Sequence, residues 1–361
     1  MDWIDALLLM MHKEAMSISD ESTTASIPMQ WVGPLCLQTE SSTEEISVPL
    51  ATYETTLWPS TARGARVSCR TGGIRCTVLK DQMTRSILLE VPDASTGATV
   101  ASSLQNSLEE LQAVASSTSR YATVSSIHSE HIGNLLFLRF AFSTGDAAGH
   151  NMTTKAADAL RAHVLKTFPD LKDVSVSGNY CTDKKVSAVN GILGRGKQVI
   201  AEAVIEKKWI HNYLKTTAAQ MAELNLRKNL IGSIAAGSLR SGNAHVANLL
   251  LGFYLATGQD AANIVEGSQA ITHLEDRDGD LYMSVTLPHL ILGTIGNGKS
   301  LPHVEEALTR LGCREEREPG ENAQRLAKIC AATVWCGELS LLAALTNPGE
   351  LMASHEKYER S

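Results

Sequence analysis

Apolar positions change period several times between residues 86 and 176. Ser86 to Val91 reads as a strand, and residues 97–115 carry Leu104, Leu108 and Leu111 at helical spacing. Tyr121 to His128 and Asn134 to Phe142 return to strand-like patterning around the turn His131-Ile132-Gly133. Gly149 to Phe168 is helical again, and Leu171 to Val176 is extended. The succession βαββαβ predicts a ferredoxin-like unit. No GxGxxG follows its first strand, so it is not a Rossmann unit.

The flanks read differently. Residues 1–26 pattern as an amphipathic helix and a polar linker. Ile27 to Leu35 is extended, with Gly33-Pro34 as a turn, and Val48 to Tyr53 is a strand. Lys197 to Glu206 and Asn212 to Asn225 mix apolar and polar positions and are read as helices. Leu230 to Ala256 is dense in Gly, Ala and Ser, which suits closely packed backbones. Residues 281–292 read as a strand, and Pro302 to Leu311 and Asn322 to Ala344 as helices. The expected class is α+β. A mainly helical large domain, residues 27–86 and 176–361, carries an inserted ferredoxin-like domain, residues 87–175.

With 361 residues, 43% hydrophobic and 20% charged, the chain has material for about two domains with real cores. A net charge of −7 and a pI near 5.9 argue against nucleic acid or an anionic membrane as the main partner. The seven cysteines form no CxxC pair and read as reduced thiols. The short apolar run Ala6 to Met11 follows Asp2 and Asp5 rather than positive charge, unlike a signal peptide. No stretch reads as a bilayer span. The expectation is a soluble cytoplasmic protein.

Candidate chemistry concentrates in Ser177-Gly178-Asn179-Tyr180-Cys181-Thr182-Asp183-Lys184-Lys185, where two ammonium groups and a carboxylate crowd a Gly-Asn turn; a second basic turn, Gly194 to Lys197, follows. Crowded charges perturb one another, although a solvated turn with an ion pair would look the same. Arg63 and Arg66 stand three apart and would share a helix face, able to grip phosphates or simply to face water. The loop Gly145 to Asn151 leads into a helix, a place where a pyrophosphate can sit and where Asp146 can equally serve as a cap. Gly293 to Ser300 fits G-x-x-x-x-G-K-[ST]. Pro302 comes too soon for Lys299-Ser300 to open a helix, and no apolar strand ends in a magnesium-binding Asp. An NTPase is therefore the weaker reading, while the glycine amides remain available to a phosphate or a nicotinamide.

Taken together, Ala51 to Glu54, Asp81 to Arg85, Gly145 to Met152, Ser177 to Lys185, Lys228-Asn229-Leu230, Asn243 to Asn248, Gly258 to Ala262, Pro319 to Ala323 and Gly337 to Ser340 resemble 3-hydroxy-3-methylglutaryl-CoA (HMG-CoA) reductases of the soluble, class I-like type. The resemblance runs from about Ile27 to the C-terminus. It implies NADPH-dependent reduction of HMG-CoA to mevalonate and CoA, without a metal. It also implies a homodimer or homotetramer with active sites at the subunit interface.

The resemblance assigns Lys184 as the cation beside the carbonyl oxygen and Asp260 as the carboxylate that tunes it. Glu54 becomes the proton donor to the aldehyde and His355 the acid for the departing thiolate. Arg85, Ser177, Asp183, Lys185, Lys228, His245 and Asn248 are implied to hold the acyl group. Ser60, Arg63, Arg66 and Lys215 are implied to meet CoA. Ser119, Arg120, Asp146, Ala148, Gly149, Asn151, Ile295, Gly296, Gly298 and Arg360 are implied to meet the dinucleotide, with Arg120 on a 2′-phosphate. The chain departs from the family at Ser19 to Thr24, Gln30-Trp31, His150 and Asn297-Gly298-Lys299. Ser361 falls at a position phosphorylated in animal enzymes but is read as an ordinary terminus. A non-catalytic acyl-CoA-binding relative is the second rival, and the complete set Glu54, Lys184, Asp260 and His355 speaks against it.

Overall fold

The computed structural model describes residues 24–40 and 42–359. The expected N-terminal helix, Arg360 and Ser361 lie outside the described residues.

Strands β1 (Met29–Gln38) and β2 (Thr43–Ala51) pair antiparallel, and helix α1 (Leu57–Arg70) follows. Strand β3 (Ile74–Glu90) then belongs to two sheets. Its Arg75–Gln82 half pairs with β7 (Gly196–Ile205), and its Met83–Glu90 half pairs with β5 (Leu135–Ser143). Along the second half run α2 (Ala94–Asn106), α3 (Leu108–Ser116), β4 (Thr123–Ile132), β5, α4 (His150–Thr167) and β6 (Lys172–Ser175). These strands line up β4-β5-β3-β6, all antiparallel. Helices α2 to α4 cover the sheet through Leu104, Leu111, Ala157, Leu160 and Val164, which meet Leu136, Leu138 and Phe140 in one core.

The larger core lies around a second sheet, β2-β1-β3-β7-β9-β8, with β8 spanning Ile271–Arg277 and β9 Asp280–Leu290. Among the described residues, only its β1–β3 contact is parallel. This sheet corrects the expectation of a mainly helical large unit. Lys197 to Glu206 is a strand, not a helix: Val199, Ala201 and Ile205 recur at even spacing and are fully buried, the period-two signature of a pleat. Strand β8 escaped the sequence reading. It joins β9 through Asp278 and Gly279, both at positive φ, as a two-residue hairpin requires. Gly33-Pro34 is not a chain turn either; it is a cis peptide inside β1, where the register with β2 slips.

Helix α5 (Ala188–Leu193) precedes β7, and α6 (Ala218–Leu224) and α7 (Val246–Ala256) follow it. After β9 come α8 (Pro302–Arg310), α9 (Glu321–Thr346) and α10 (Glu350–Glu359). Residues 210–214 and 225–232 are wide π-type turns. By length and composition α9 does meet the requirement for a membrane span, contrary to expectation, but it is the central helix of the larger core, buried nearly all round. It packs so closely on α1 that a Cβ on Gly64 would stand 2.0 Å from the Cys336 carbonyl oxygen. The cysteines also differ from expectation. Cys36 and Cys69 are joined in a disulfide that ties β1 to the end of α1.

Candidate active site

The Ser177–Lys185 loop links β6 to α5, and it is held in a contorted path. Asn179, Thr182 and Lys184 all have positive φ, near 59°, 49° and 54°. A side chain at such a φ is strained, so surrounding contacts must hold it there. Asn190 donates to the Thr182 carbonyl, and the Lys184 amide donates to Glu266 Oε1 at 3.1 Å. The result aims Lys184 Nζ at Asp260 Oδ2, 2.7 Å away and half exposed. Asp260 opens the turn Ala261–Asn263 and also accepts the Ala262 amide. The pairing raises the Lys184 ammonium above its ordinary value. Partial burial opposes ionisation of Asp260, but Lys184 and the Ala262 amide bring its carboxyl below the usual range. Lys184 is thus a fixed cation at the mouth of a cavity.

Beside it, Asp183 receives Arg195 at 2.5 Å and lies 3.7 Å from Arg85 and 3.6 Å from His150. Burial alone would push this carboxyl up. His150, Arg195 and Arg85 together hold it far below the usual carboxylate range. Arg195 is fully buried and also donates to Thr84 O and Oγ1.

The cavity at Lys184, about 490 Å³, is lined by Arg85, Asp183 and Asp260 on one side. Its other wall comprises Ala148, Gly149, Asn151, Ile295 and Gly296. Thr294 N–H donates to Asp146 O at 2.8 Å, and Ala147 bridges to Ile295, so the two glycine-bearing loops are stitched together. A Cβ on Gly293 would stand 2.4 Å from the Ala148 nitrogen, which makes glycine necessary at that crossing. Gly149, at φ 93°, caps α4 and leaves the first amides of an 18-residue helix at the cavity wall. That wall of small residues and helix-terminal amides fits a dinucleotide pyrophosphate.

Glu54, His245, Asn248 and His355 line a different cavity, about 420 Å³, together with Ser60, Arg63 and Arg66. Asn248 donates to Glu54 Oε2 at 2.7 Å. Glu338, fully buried in α9, accepts the Ala244 and His245 amides, His245 Nδ1 at 3.0 Å and Thr272 Oγ1. Burial opposes its charge, but His245 and the amides bring its carboxyl below the ordinary value. Arg63 reaches Ser340 O in α9 and Glu350 at the start of α10, the helix that carries His355, tying α1 to both. The four expected catalytic residues therefore divide two and two between cavities of one chain.

Other candidates lie elsewhere. Ser177 contacts Cys181 Sγ at 3.7 Å, and Lys185 reaches the Asp183 carbonyl at 3.1 Å. Lys228 sits on the surface beside Asn229 Oδ1 at 3.3 Å, and Lys215 is exposed at φ 57°. Ser119 Oγ accepts the Tyr121 amide, while Arg120 stacks on the Tyr121 ring and donates to its hydroxyl. The Asp146 carboxylate accepts the Gly320 and Ala323 amides at the start of α9. Gly298, at φ 79°, packs on the Gly258 carbonyl.

The G-x-x-x-x-G-K-[ST] match is no phosphate-binding loop here. Lys299 is buried, and its Nζ donates to the carbonyls of Thr257 and Gly258, bracing the segment that carries Asp260. Burial pushes its ammonium down to about 8. Three further groups went unassigned from sequence: Arg195, Glu266 and Glu338. Their signal is a lone charge among glycines or apolar neighbours, which marks a buried partner without saying where it is. Among the described residues no cluster of His, Cys, Asp and Glu is placed to hold a metal.

The site thus sets a carboxylate-paired lysine across a cavity from a wall of small residues and helix-terminal amides. The model of one family, hydroxymethylglutaryl-coenzyme A reductase, matches residues 17–360, and the chain belongs to that family. It is 43% identical over 342 residues to the 3-hydroxy-3-methylglutaryl-coenzyme A reductase of Aeropyrum pernix, covering 94% of this chain and 81% of that protein. It is 45% identical over 322 residues to the enzyme of that name from Pyrococcus horikoshii, covering 88% and 78%. The fold is similar to the class II 3-hydroxy-3-methylglutaryl-CoA reductase of Streptococcus pneumoniae, solved bound to NADPH (TM-score 0.72, 19% identity, 95% of each chain).

Proposed function

We propose that the chain reduces HMG-CoA to mevalonate and CoA with NADPH, and that Lys184 and Asp260 form its electrophilic centre. The observation that carries this reading is the 2.7 Å Lys184–Asp260 pair at the mouth of the cavity walled by the 145–151 and 293–298 loops. NADPH supplies the two hydrides that the four-electron reduction of a thioester requires. When the thioester carbonyl carbon gains hydride, its oxygen becomes an oxyanion, and the Lys184 ammonium stabilises that charge. The oxyanion re-forms a carbonyl and expels the CoA thiolate, which takes a proton from His355. The aldehyde carbonyl, polarised again by Lys184, accepts the second hydride, and Glu54 donates the proton that completes the alcohol. Two protons and two hydrides are consumed per mevalonate and CoA released.

Arg85, Ser177, Asp183, Lys185, Lys228, His245 and Asn248 hold the acyl group in this reading, and Ser60, Arg63, Arg66 and Lys215 hold CoA. Residues 87–175 act as the dinucleotide domain, inserted between the segments 27–86 and 176–361. Ser119, Arg120, Asp146, Ala148, Gly149, Asn151, Ile295, Gly296 and Gly298 serve the dinucleotide, with Arg120 at the 2′-phosphate. Because the four catalytic groups divide between two cavities, we assign the working unit to at least two copies, each completing the other's site. The exposure of Ile231 and Ile234, at 53% and 76%, beside Lys228 supports a face that a second copy covers. Burial of α9 inside the core supports a soluble enzyme, while the Cys36–Cys69 disulfide removes the thiol argument for a cytoplasmic one.

The test follows reduced-nicotinamide absorbance after HMG-CoA is added, with NADPH and NADH in parallel and with Arg120→Ala. The reading predicts turnover with NADPH and a smaller NADPH-over-NADH ratio in the variant. A folded wild-type protein silent with both cofactors would contradict it.

A further inference from the structure

We infer that the buried pair Glu266 and Arg195 is the positioning device of the active site, fixing Lys184 through its backbone and Asp183 through its side chain. This rests on the reductase reading only in giving Lys184 its importance; the contacts stand by themselves.

Both side chains are fully buried, with Arg195 Nε 3.7 Å from Glu266 Oε1. A buried ion pair so loosely met is a poor stabiliser, because desolvation of both charges offsets their attraction. What distinguishes this pair is where its remaining atoms point. Glu266 Oε1 accepts the Lys184 amide at 3.1 Å and Asn263 Nδ2 at 2.9 Å. Arg195 donates to Asp183 Oδ1 and, on its other edge, to Thr84 O and Oγ1. The pair therefore grips two consecutive residues of the loop from below, one by main chain and one by carboxylate. It also connects them to the element that carries Asp260, since Glu266 lies six residues after that aspartate on the same short helical turn.

The strain in the loop explains why such a grip is needed. Lys184 has φ 54° and Thr182 φ 49°, conformations a free loop would leave. Once the amide of Lys184 loses its acceptor, relaxation toward ordinary φ swings the ammonium away from Asp260. A displacement of about 1 Å at a reacting group is enough to cost roughly 10²-fold in rate. Glu266 is fully buried and lines neither cavity, so it is a positioning residue.

Two conservative variants separate its possible roles. Glu266→Gln keeps an acceptor oxygen for the Lys184 amide, and its NH2 falls at Oε2, which receives no hydrogen bond from the described residues. Glu266→Asp keeps the charge but withdraws the acceptor by one methylene. The readouts are kcat and KM with HMG-CoA and NADPH, and hydrogen exchange of the peptide containing the Lys184 amide. We expect Glu266→Gln to stay within about threefold of wild-type kcat. Glu266→Asp should lose at least tenfold in kcat with the NADPH KM within twofold. Its Lys184 amide should exchange at least tenfold faster while α7 and β9 stay protected. Wild-type kcat in Glu266→Asp, or equal losses in both variants, would overturn the inference. An inactive wild type would refute the reductase reading instead, and the exchange comparison would still decide whether Glu266 holds the Lys184 amide.

Discussion

The role proposed for Lys184 rests on contacts on both sides of its Cα. Asp260 holds the ammonium at 2.7 Å, and Glu266 holds the amide at 3.1 Å. Removing the ammonium while keeping the stem, as in Lys184→Met, should lower kcat at least 10²-fold, the loss of about 3 kcal/mol expected for one oxyanion donor. NADPH affinity measured by fluorescence should stay within a few-fold. Asp183 gives a pH signature. Its folded-state pKa is depressed, so its stabilisation is present above the unfolded value near 4 and is lost as pH falls toward the folded one. Urea midpoints of wild type and Asp183→Asn should therefore differ at pH 7, and the difference should shrink progressively as pH falls below about 4. Lys299 runs the other way. Its pKa falls to about 8 on folding, so between roughly pH 8 and 10.5 the unfolded chain binds more protons and stability rises with pH. Wild type should gain about 1–3 kcal/mol on Lys299→Met across that window. A flat difference in denaturation midpoints would contradict this assignment. At this scale Lys184, Asp260 and Glu54 were legible because they sit in motifs that resemble a family. Glu266 and Arg195 were not, because Glu266 meets its Lys184 partner 82 positions away and buried pairing leaves no local pattern.

At the scale of elements, α1 depends on two close contacts. Gly64 passes the Cys336 carbonyl with no room for a methyl group. Gly64→Ala should cost at least about 2 kcal/mol by forcing α1 off α9. The shift should also weaken CoA binding, since Arg63 spans from α1 to Ser340. Thermal melts and CoA titration check both parts. The Cys36–Cys69 disulfide closes a 33-residue separation, and Cys69→Ala or added reductant should lower stability by about 2–4 kcal/mol. Most of the order βαββαβ could be read in advance because each of its elements has its own period, but the expected helix over 97–115 is two, α2 and α3, broken at Ser107. The large unit was misread because the even-spaced apolar set of β7 alternates over few residues and the segment also carries Ile200 and Val204 out of that register. The hairpin partner β8 carries mostly exposed side chains, so its pattern gave no apolar run.

The molecule as a whole divides the four proposed catalytic groups between two cavities, Lys184 with Asp260 and Glu54 with His355. If copies complete each other, co-expressed Lys184→Met and Glu54→Gln chains should recover up to about a quarter of wild-type activity through mixed dimers, although each alone is inactive. No recovery despite mixed oligomers would place all four groups within one chain. The most direct measurement of the central claim counts NADPH oxidised against CoA thiol released, in wild type and in Lys184→Met. Two NADPH per thiol are expected in wild type, with both signals lost together in the variant. One NADPH per thiol, or unchanged turnover in Lys184→Met, would contradict it.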